Sequence, residues 1–310
     1  MQSVHPKQEG SVVGVIAGVV SFTDTMGPET LVEYAERLES LGYEELWLPD
    51  LFGRELFVTA SFVLSRTRRI RVATGIANVY ARDPMSTAQA AHTLDELYDG
   101  RFILGLGVSH PHAAEVRGHV WIPPVRKLRD HLEGMAAVPA RGSEPGTPVR
   151  VYIAAHGPKL LALAAELADG ANTYLMPPEH TQEAREILGP DKALNVVLPC
   201  CLCDDVDRAR QTARKGLAMY LELAAYHRQW KRFGFGSEDL AGGGSERLVD
   251  AIVAHGDEAA VRRRIADHTS AGASRVLLIA YNPEGRGPHW KLLEALAPGA
   301  NRRDGKKETE

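Results

Sequence analysis

The sequence predicts an α/β protein of the (β/α)8 TIM-barrel class, and three observations support this. Eight short apolar, β-rich segments recur along the 310 residues. Helical sequence follows each segment, as parallel strands joined by helical crossovers require. No G-x-G-x-x-G turn follows the first segment, which disfavours the alternative of a doubly wound open sheet. We therefore expect a single barrel domain over residues 11–298, with disordered tails at 1–10 and 299–310.

The predicted elements alternate along the chain. The expected strands are 11–20, 45–49, 70–76, 102–108, 149–154, 172–176, 193–203 and 275–281. The expected helices are 28–41, 54–65, 84–98, 125–138, 159–168, 206–230, 246–255, 257–271 and 289–297. Asp83 and Pro84 form an N-cap followed by proline in the first turn, while Gly42, Gly100 and Gly170 occupy positions where helices end.

Composition and charge narrow the class of protein. The net charge of −4 and 25% charged residues predict no general attraction to nucleic acid or to acidic membranes. No apolar run reaches the length of a membrane span, and the N-terminus lacks the apolar core of a secretory signal. The three cysteines, at 200, 201 and 203, resemble buried thiols more than a disulfide framework or a zinc site. We expect a cytoplasmic protein whose partner is a small-molecule substrate.

The fourth predicted strand ends in two glycines that share one face. Gly105 and Gly107 lie two residues apart, so both lack a side chain on the same side of the strand. The missing side chains can make room for a flat ligand or for the close approach of another backbone segment. An equally favoured interpretation is that the glycines relieve crowding inside the barrel.

The turn after the fifth predicted strand resembles an anion site. His156, Gly157, Pro158 and Lys159 open a helix whose first backbone N–H groups and dipole favour an anion. An ordinary strand-to-helix turn has the same composition, so this motif alone is weak evidence. Its location strengthens the interpretation, because phosphate sites of barrels lie at this face.

Three histidines and one aspartate are predicted at the same face of the barrel. His110, His112, His156 and Asp50 all follow strands, and this residue set is chemically suited to a metal site. The paired histidines of barrel metallohydrolases follow the first strand, whereas this pair follows the fourth. Ligand contacts or solvated loop positions therefore remain the preferred interpretation, and we predict no metal.

Four segments, taken in order, resemble the luciferase-like monooxygenase superfamily, and within it the coenzyme F420-dependent oxidoreductases of actinobacterial type. They are LGYEELWLPD, RIRVATGIANVYARDPMSTAQAAHTLDELYDGRFILGLGVSHP, AAHGPKLLALAAELADGA and AGASRVLLIAY. The resemblance extends from Gly14 to Tyr281. It implies a bacterial-luciferase-like barrel in which a deazaflavin lies at the mouth and carries hydride at its C5. It also implies a homodimer.

The resemblance assigns candidate cofactor-binding residues. Asp50 matches an acidic residue near the deazaflavin ring, and Gly75 and Ile76 match a peptide that is commonly cis behind the ring. The other matching positions are Ala77, Asn78, Gly107, Val108, Ser109, Ala155, His156, Gly157, Pro158 and Lys159. The last five correspond to the phosphate-binding turn.

Two positions differ from the sugar-phosphate dehydrogenases of the superfamily, so the reaction mechanism of those enzymes cannot be transferred to this chain. Leu51 stands where sugar-phosphate dehydrogenases of the superfamily have a catalytic histidine, and His110 stands where they have a glutamate. The candidate catalytic residues are therefore Asp50 and His110, since a histidine can serve as general acid or base near neutral pH.

The predicted function is hydride transfer between F420 and an unidentified organic substrate. The alternatives are an FMN-dependent monooxygenase, a metal-dependent hydrolase and a deazaflavin-binding protein without turnover. Specificity is expected in the loops 21–27, 109–124 and 226–245. Aromatic residues of the last loop line either an apolar pocket or a packing seam between helices; these are Tyr226, Trp230, Phe233 and Phe235.

Overall fold

The computed structural model describes residues 16–138 and 148–298. Its strands are β1 Ile16–Val20, β2 Glu45–Leu48, β3 Arg71–Thr74, β4 Ala77–Asn78, β5 Phe102–Gly107, β6 Arg150–Ala154, β7 Gly170–Tyr174, β8 Ala193–Leu202, β9 Ala254–Gly256 and β10 Arg275–Ala280. Eight of these strands run parallel in the order β10-β1-β2-β3-β5-β6-β7-β8, and β10 pairs with β8. The sheet is therefore a closed barrel, which confirms the predicted fold class.

Helices separate the strands. They are α1 Pro28–Ser40, α2 Leu56–Arg66, α3 Pro84–Leu97, α4 Pro111–Glu115, α5 Pro124–Ala136, α6 Pro158–Leu167, α7 Pro178–Leu188, α8 Val206–Leu217, α9 Ala224–Arg232, α10 Ser237–Leu240, α11 Glu246–Ile252, α12 Glu258–Ser270 and α13 Trp290–Ala295. Asp83 caps α3 as predicted, because its carboxylate accepts the Ser86 N–H at 2.9 Å. Gly42 follows the end of α1 with φ 88°, the left-handed conformation that glycine favours.

All eight predicted barrel strands are present, within a few residues of their expected ends. The short strands β4 and β9 pair with the ends of β5 and β8 and were not predicted. The first five residues of the predicted strand 11–20 and both predicted tails, 1–10 and 299–310, lie outside the described residues.

Three sequence predictions were wrong. The predicted helix 246–255 ends at Ile252, and its last two residues belong to β9. The predicted helix 206–230 is broken between α8 and α9, where Leu223 is extended with φ −99° and ψ 110°. After this break, Tyr226 and Trp230 pack in a buried cluster with residues of other elements, among them Leu175 and Leu248. Gly170 does not end a helix but begins β7, where a Cβ would lie 2.0 Å from the Ala193 carbonyl oxygen. Close pairing of two strands, rather than a helix cap, requires this glycine.

The barrel interior is filled by side chains. Trp47, Ile103, Tyr152 and Leu277 form a buried cluster inside the ring, and Trp47 stacks on Tyr152 with 6.1 Å between ring centroids. A larger apolar cluster joins the strands to the surrounding helices. The centre is therefore a packed core, and ligands have access only to the ends of the barrel.

A buried charge lies at the N-terminal end of the strands. Glu45, the first residue of β2, is fully buried and accepts hydrogen bonds from Arg275 at 2.6 Å and from Trp47 Nε1 at 2.9 Å. A second guanidinium, that of Arg71, lies 3.3 Å from the same carboxylate. The Glu45 carboxylate thus pairs with Arg275 where β2, β3 and β10 begin. It shares Arg71 with Glu44, which lies 2.7 Å from the same guanidinium.

Buried histidines predict that acid destabilises the fold. Burial lowers the pKa of His131 to about 4 and that of His268 to about 3, from 6.5. Below about pH 6.5 the unfolded chain binds protons that the folded chain does not, so the free energy of unfolding decreases as the pH decreases. Each group adds a slope approaching about 1.4 kcal/mol per pH unit. Urea unfolding between pH 7.5 and 5 measures this slope.

The matched variants are His268→Asn and His92→Asn. The first removes one buried titrating group. The slope of the free energy of unfolding against pH is therefore expected to decrease by an amount that corresponds to at most one proton. The second removes an exposed histidine on α3 and is expected to leave the slope unchanged. Equal slopes in all three proteins would contradict the prediction.

Candidate functional site

The predicted site residues lie at the C-terminal ends of adjacent strands. Asp50 follows β2, and its carboxylate accepts the backbone N–H of Asn78 in β4 at 3.1 Å. The Asp50 N–H in turn donates to the carbonyl oxygen of Ile76 at 3.2 Å. Asn78 pairs with Gly107 of β5. The order of the strands thus brings Asp50, residues 75–78 and Gly107 together.

Asp50 is largely buried, and a cation lies beside it. Burial raises the pKa of Asp50, while the Asn78 N–H and Arg117 counteract this. Arg117 follows α4 and lies 3.5 Å from the Asp50 carboxylate. The same guanidinium donates to the Leu51 carbonyl oxygen at 3.2 Å. Arg117 was not predicted, because its 67-residue separation from Asp50 leaves no local sequence signal.

The peptide bond between Gly75 and Ile76 is cis, which confirms the expectation from the resemblance. Gly75 lies against Trp47, since a Cβ on the glycine would be 3.2 Å from the Trp47 Cβ. Ile76 is partly exposed, whereas Ala77 and Asn78 are buried. The Asn78 Nδ2 is buried without a hydrogen-bond partner in the described part of the chain.

The paired glycines of β5 are explained by close packing. A Cβ on Gly105 would lie 2.1 Å from the Thr74 carbonyl oxygen, and one on Gly107 would lie 2.7 Å from Ile76 Cδ1. The Thr74 hydroxyl also donates to the Gly105 carbonyl oxygen at 2.7 Å. Of the two alternatives raised by the sequence, relief of crowding inside the barrel is therefore the observed one, and Ile76 occupies the space beside Gly107.

A sharp turn after β5 presents His110 at the mouth of the barrel. Val108 and Ser109 are half-buried, and Ser109 adopts φ 56°, which is uncommon for a residue with a side chain. His110 is the N-cap residue of α4, but its side chain makes no capping hydrogen bond. The imidazole is therefore directed by tertiary contacts rather than by the helix.

The turn after β6 begins α6 as predicted. Ala155 is buried, and Gly157 is the N-cap residue, with Pro158 at the first helical position. The N–H groups of Gly157 and Lys159 donate to no other residue in the described ranges. Lys159 is exposed. The helix start thus presents free N–H donors and a cation, as an anion site requires.

His110 and His156 meet around an aromatic ring from α9. The ring centroid of Tyr226 lies 6.2 Å from that of His110 and 5.3 Å from that of His156. Burial lowers the pKa of His110, and burial together with the nearby imidazoles of His180 and His110 lowers that of His156 to about 3. Both imidazoles are therefore neutral at pH 7. The His156 Nδ1 is buried without a partner in the described part of the chain.

Three further tyrosines border this cluster and were missed as site residues. Tyr174 and Tyr281 end or follow the barrel strands β7 and β10, and Tyr220 lies in a single 3-10 turn after α8. The position of Tyr174 and Tyr281 at strand ends was the available signal, because barrel sites are built there. Trp230 and Phe235 instead form the packing seam that the sequence offered as an alternative.

Other candidate groups have simpler explanations. His112 is exposed on α4. Within the described ranges, no three His, Cys, Asp or Glu side chains lie together as metal ligands would. Cys200 and Cys201 are buried, and burial raises the pKa of the Cys201 thiol to about 12. None of the helices in the described ranges is long and apolar enough to cross a membrane.

Comparison with known proteins relates this geometry to a family. Residues 11–275 match the family model described as luciferase-like monooxygenase. A 5,10-methylenetetrahydromethanopterin reductase of Archaeoglobus fulgidus is 27% identical over 276 residues, which cover 80% of this chain and 82% of that protein.

A second relative and one solved structure extend the comparison. The F420-dependent glucose-6-phosphate dehydrogenase of Kribbella flavida is 29% identical over 184 residues, 49% of this chain and 55% of that protein. The fold of an F420-dependent secondary alcohol dehydrogenase superposes with a TM-score of 0.70 at 16% identity, covering 87% of this chain and 94% of the other.

Proposed function

The chain belongs to the luciferase-like monooxygenase family, and within it we propose an oxidoreductase that transfers hydride between coenzyme F420 and a small organic substrate. A relative named as F420-dependent supports the choice of coenzyme. The observation that carries the proposal is the convergence of Asp50, Asn78, Gly107 and the start of α6 at one end of the barrel.

The residues at this end fit a ring carrying polar edges and a phosphate. Asn78 Nδ2 and His156 Nδ1 are buried polar atoms without partners in the described ranges, and such atoms normally find one. The free N–H groups of Gly157 and Lys159 suit a phosphate. Asp50, Gly75 to Asn78 and Gly107 to Ser109 would border the ring.

The chain's own residues supply binding, orientation and proton handling. F420, when bound, supplies a carbon that accepts or donates hydride. Asp50 is held by the Asn78 N–H and Arg117, so its carboxylate has a fixed position at the edge of the site. His110 is neutral at pH 7 and can accept a proton from a substrate hydroxyl as a general base. The Tyr226 ring packs against both histidines.

A monooxygenase is the alternative, because the family model is described as luciferase-like monooxygenase, and the resemblance implies FMN as its coenzyme. The two functions differ in their need for oxygen. A monooxygenase with reduced FMN is expected to consume oxygen in proportion to product, whereas hydride transfer with F420 proceeds without oxygen. An oxygen electrode under both conditions distinguishes them.

Lys159→Ala is expected to weaken F420 binding by about fivefold, because an exposed cation beside a phosphate contributes about 1 kcal/mol. The dissociation constant from F420 fluorescence measures the loss, and high salt is expected to shrink the difference between variant and parent. Lys291→Ala is the matched control, since Lys291 is an exposed lysine at the same position of another helix, α13. Equal affinities for the parent and for Lys159→Ala would contradict the assignment of the phosphate-binding site to this turn.

A further inference from the structure

Four tyrosines form a compact phenolic cluster beside the C-terminal ends of β7 and β10: Tyr174, Tyr220, Tyr226 and Tyr281. Tyr174 and Tyr220 meet edge to face, with centroids 5.1 Å apart at 84°. Tyr226 meets Tyr220 at 5.2 Å and 74°. Tyr226 is buried, while the other three rings are partly exposed. The cluster thus lies at the end of the barrel where the strands terminate, and three of its rings are partly accessible there.

The hydroxyl of Tyr174 is unsatisfied. It is buried, and no group in the described ranges completes a hydrogen bond of normal geometry with it. The phenols of Tyr220 and Tyr281 lie beside it and interact with it closely enough to affect its pKa, but their contacts do not have the geometry of a hydrogen bond. A buried hydroxyl without a partner normally indicates a ligand or water.

The cluster and the two histidines beside it carry no charge at neutral pH. Burial is the main cause that raises the pKa of Tyr174, Tyr220, Tyr226 and Tyr281. Burial likewise lowers the pKa of His110 and His156. A charged ligand group placed here would lose its hydration without gaining a counter-ion, which is costly.

We propose that the phenolic cluster binds an uncharged aromatic carbonyl group of the substrate, with the Tyr174 hydroxyl donating a hydrogen bond to the carbonyl oxygen. The inference rests on the proposed function, because the substrate is the molecule that meets the coenzyme at this mouth. It adds the chemical class of that substrate.

Three features of the cluster argue for this class. Perpendicular phenol rings accommodate another aromatic ring edge to face at about 4.5–7 Å between centroids. A neutral phenol donates strongly to a carbonyl oxygen, and a ligand without an acceptor would leave the Tyr174 hydroxyl unpaired. His110 and Tyr174 both contact the Tyr226 ring, so the cluster adjoins the proposed base.

Three probes of similar shape test the proposal: acetophenone, ethylbenzene and benzoate. Dissociation constants are measured by ligand-detected NMR on the full chain, with and without F420. Acetophenone is expected to bind about fivefold to tenfold more tightly than ethylbenzene, the value of one hydrogen bond. It is also expected to bind more tightly than benzoate, which carries a charge.

Tyr174→Phe is expected to abolish the preference for acetophenone over ethylbenzene while both still bind. Tyr220→Phe tests whether a neighbouring phenol donates instead, and that result would contradict the assignment to Tyr174. Tyr98→Phe is the control, since its hydroxyl contacts Ser61 at 2.9 Å, at the end of α3. Thermal unfolding of each variant verifies that the fold is intact.

The outcomes separate this proposal from the proposed function. Equal binding of acetophenone and ethylbenzene, a preference for benzoate, or no binding of any probe would overturn the proposal. If the parent prefers acetophenone and Tyr174→Phe removes that preference, the result supports the proposal, whether or not F420 binds. Failure of F420 to bind would overturn the proposed function and leave this result unchanged.

Discussion

Glu45→Gln is expected to lower the free energy of unfolding by about 3 kcal/mol, the low end of the range for breaking a buried ion pair. The variant keeps the shape of the side chain but removes the carboxylate that pairs with Arg275, and it leaves Arg71 with Glu44 alone. The low end applies because both arginine side chains remain about a quarter exposed, at 26% and 25%. Urea unfolding at pH 7 measures the change.

Glu294→Gln is the matched control. Glu294 pairs with Arg37 at 2.5 Å, but both side chains are about half exposed, at 50% and 46%. Its loss is expected to cost no more than about 0.5 kcal/mol. Similar losses for the two variants would contradict the view that burial makes the Glu45 charge structurally necessary.

His110→Asn is expected to lower kcat by about 10²- to 10⁴-fold, the usual contribution of a general base, while the F420 dissociation constant changes less than twofold. Asparagine keeps a polar side chain of similar size but cannot accept a proton. Because burial lowers the pKa of His110, kcat/KM of the parent is expected to stay constant as the pH decreases to about 6.5 and to fall only at lower pH. The variant is expected to lose that acid limb.

His112→Asn serves as the control, since His112 lies two residues away and is exposed. It is expected to retain parental kcat and the parental pH profile. Unchanged turnover in His110→Asn would exclude His110 as the base. A parallel loss of F420 binding would instead assign His110 to the binding of the coenzyme.

Local sequence patterns sufficed to predict the barrel. Apolar segments bounded by glycine and proline gave the eight barrel strands, and Asp83–Pro84 gave the start of α3. Because the C-terminal ends of parallel strands share one face, the prediction also grouped Asp50, Gly107 and the turn at Gly157. The homodimer and the cytoplasmic location, both inferred from the sequence, stay predictions.

Long-range packing explains what the sequence could not predict. The break before α9 follows from burial of Tyr226 and Trp230 against other elements, while the residues themselves are compatible with a continuous helix. The contact of Arg117 with Asp50 arises only when α4 folds over the mouth. The phenolic cluster likewise joins Tyr174, Tyr220, Tyr226 and Tyr281, which no local motif connects.

Titration of the purified full-length protein with oxidised F420 and, separately, with FMN tests the central claim most directly. Coenzyme fluorescence gives both dissociation constants in the same buffer. The account predicts saturable binding of F420 at micromolar or lower concentration, with FMN at least about tenfold weaker, a difference of about 1.4 kcal/mol. Tight binding of FMN, or of neither molecule, would contradict it.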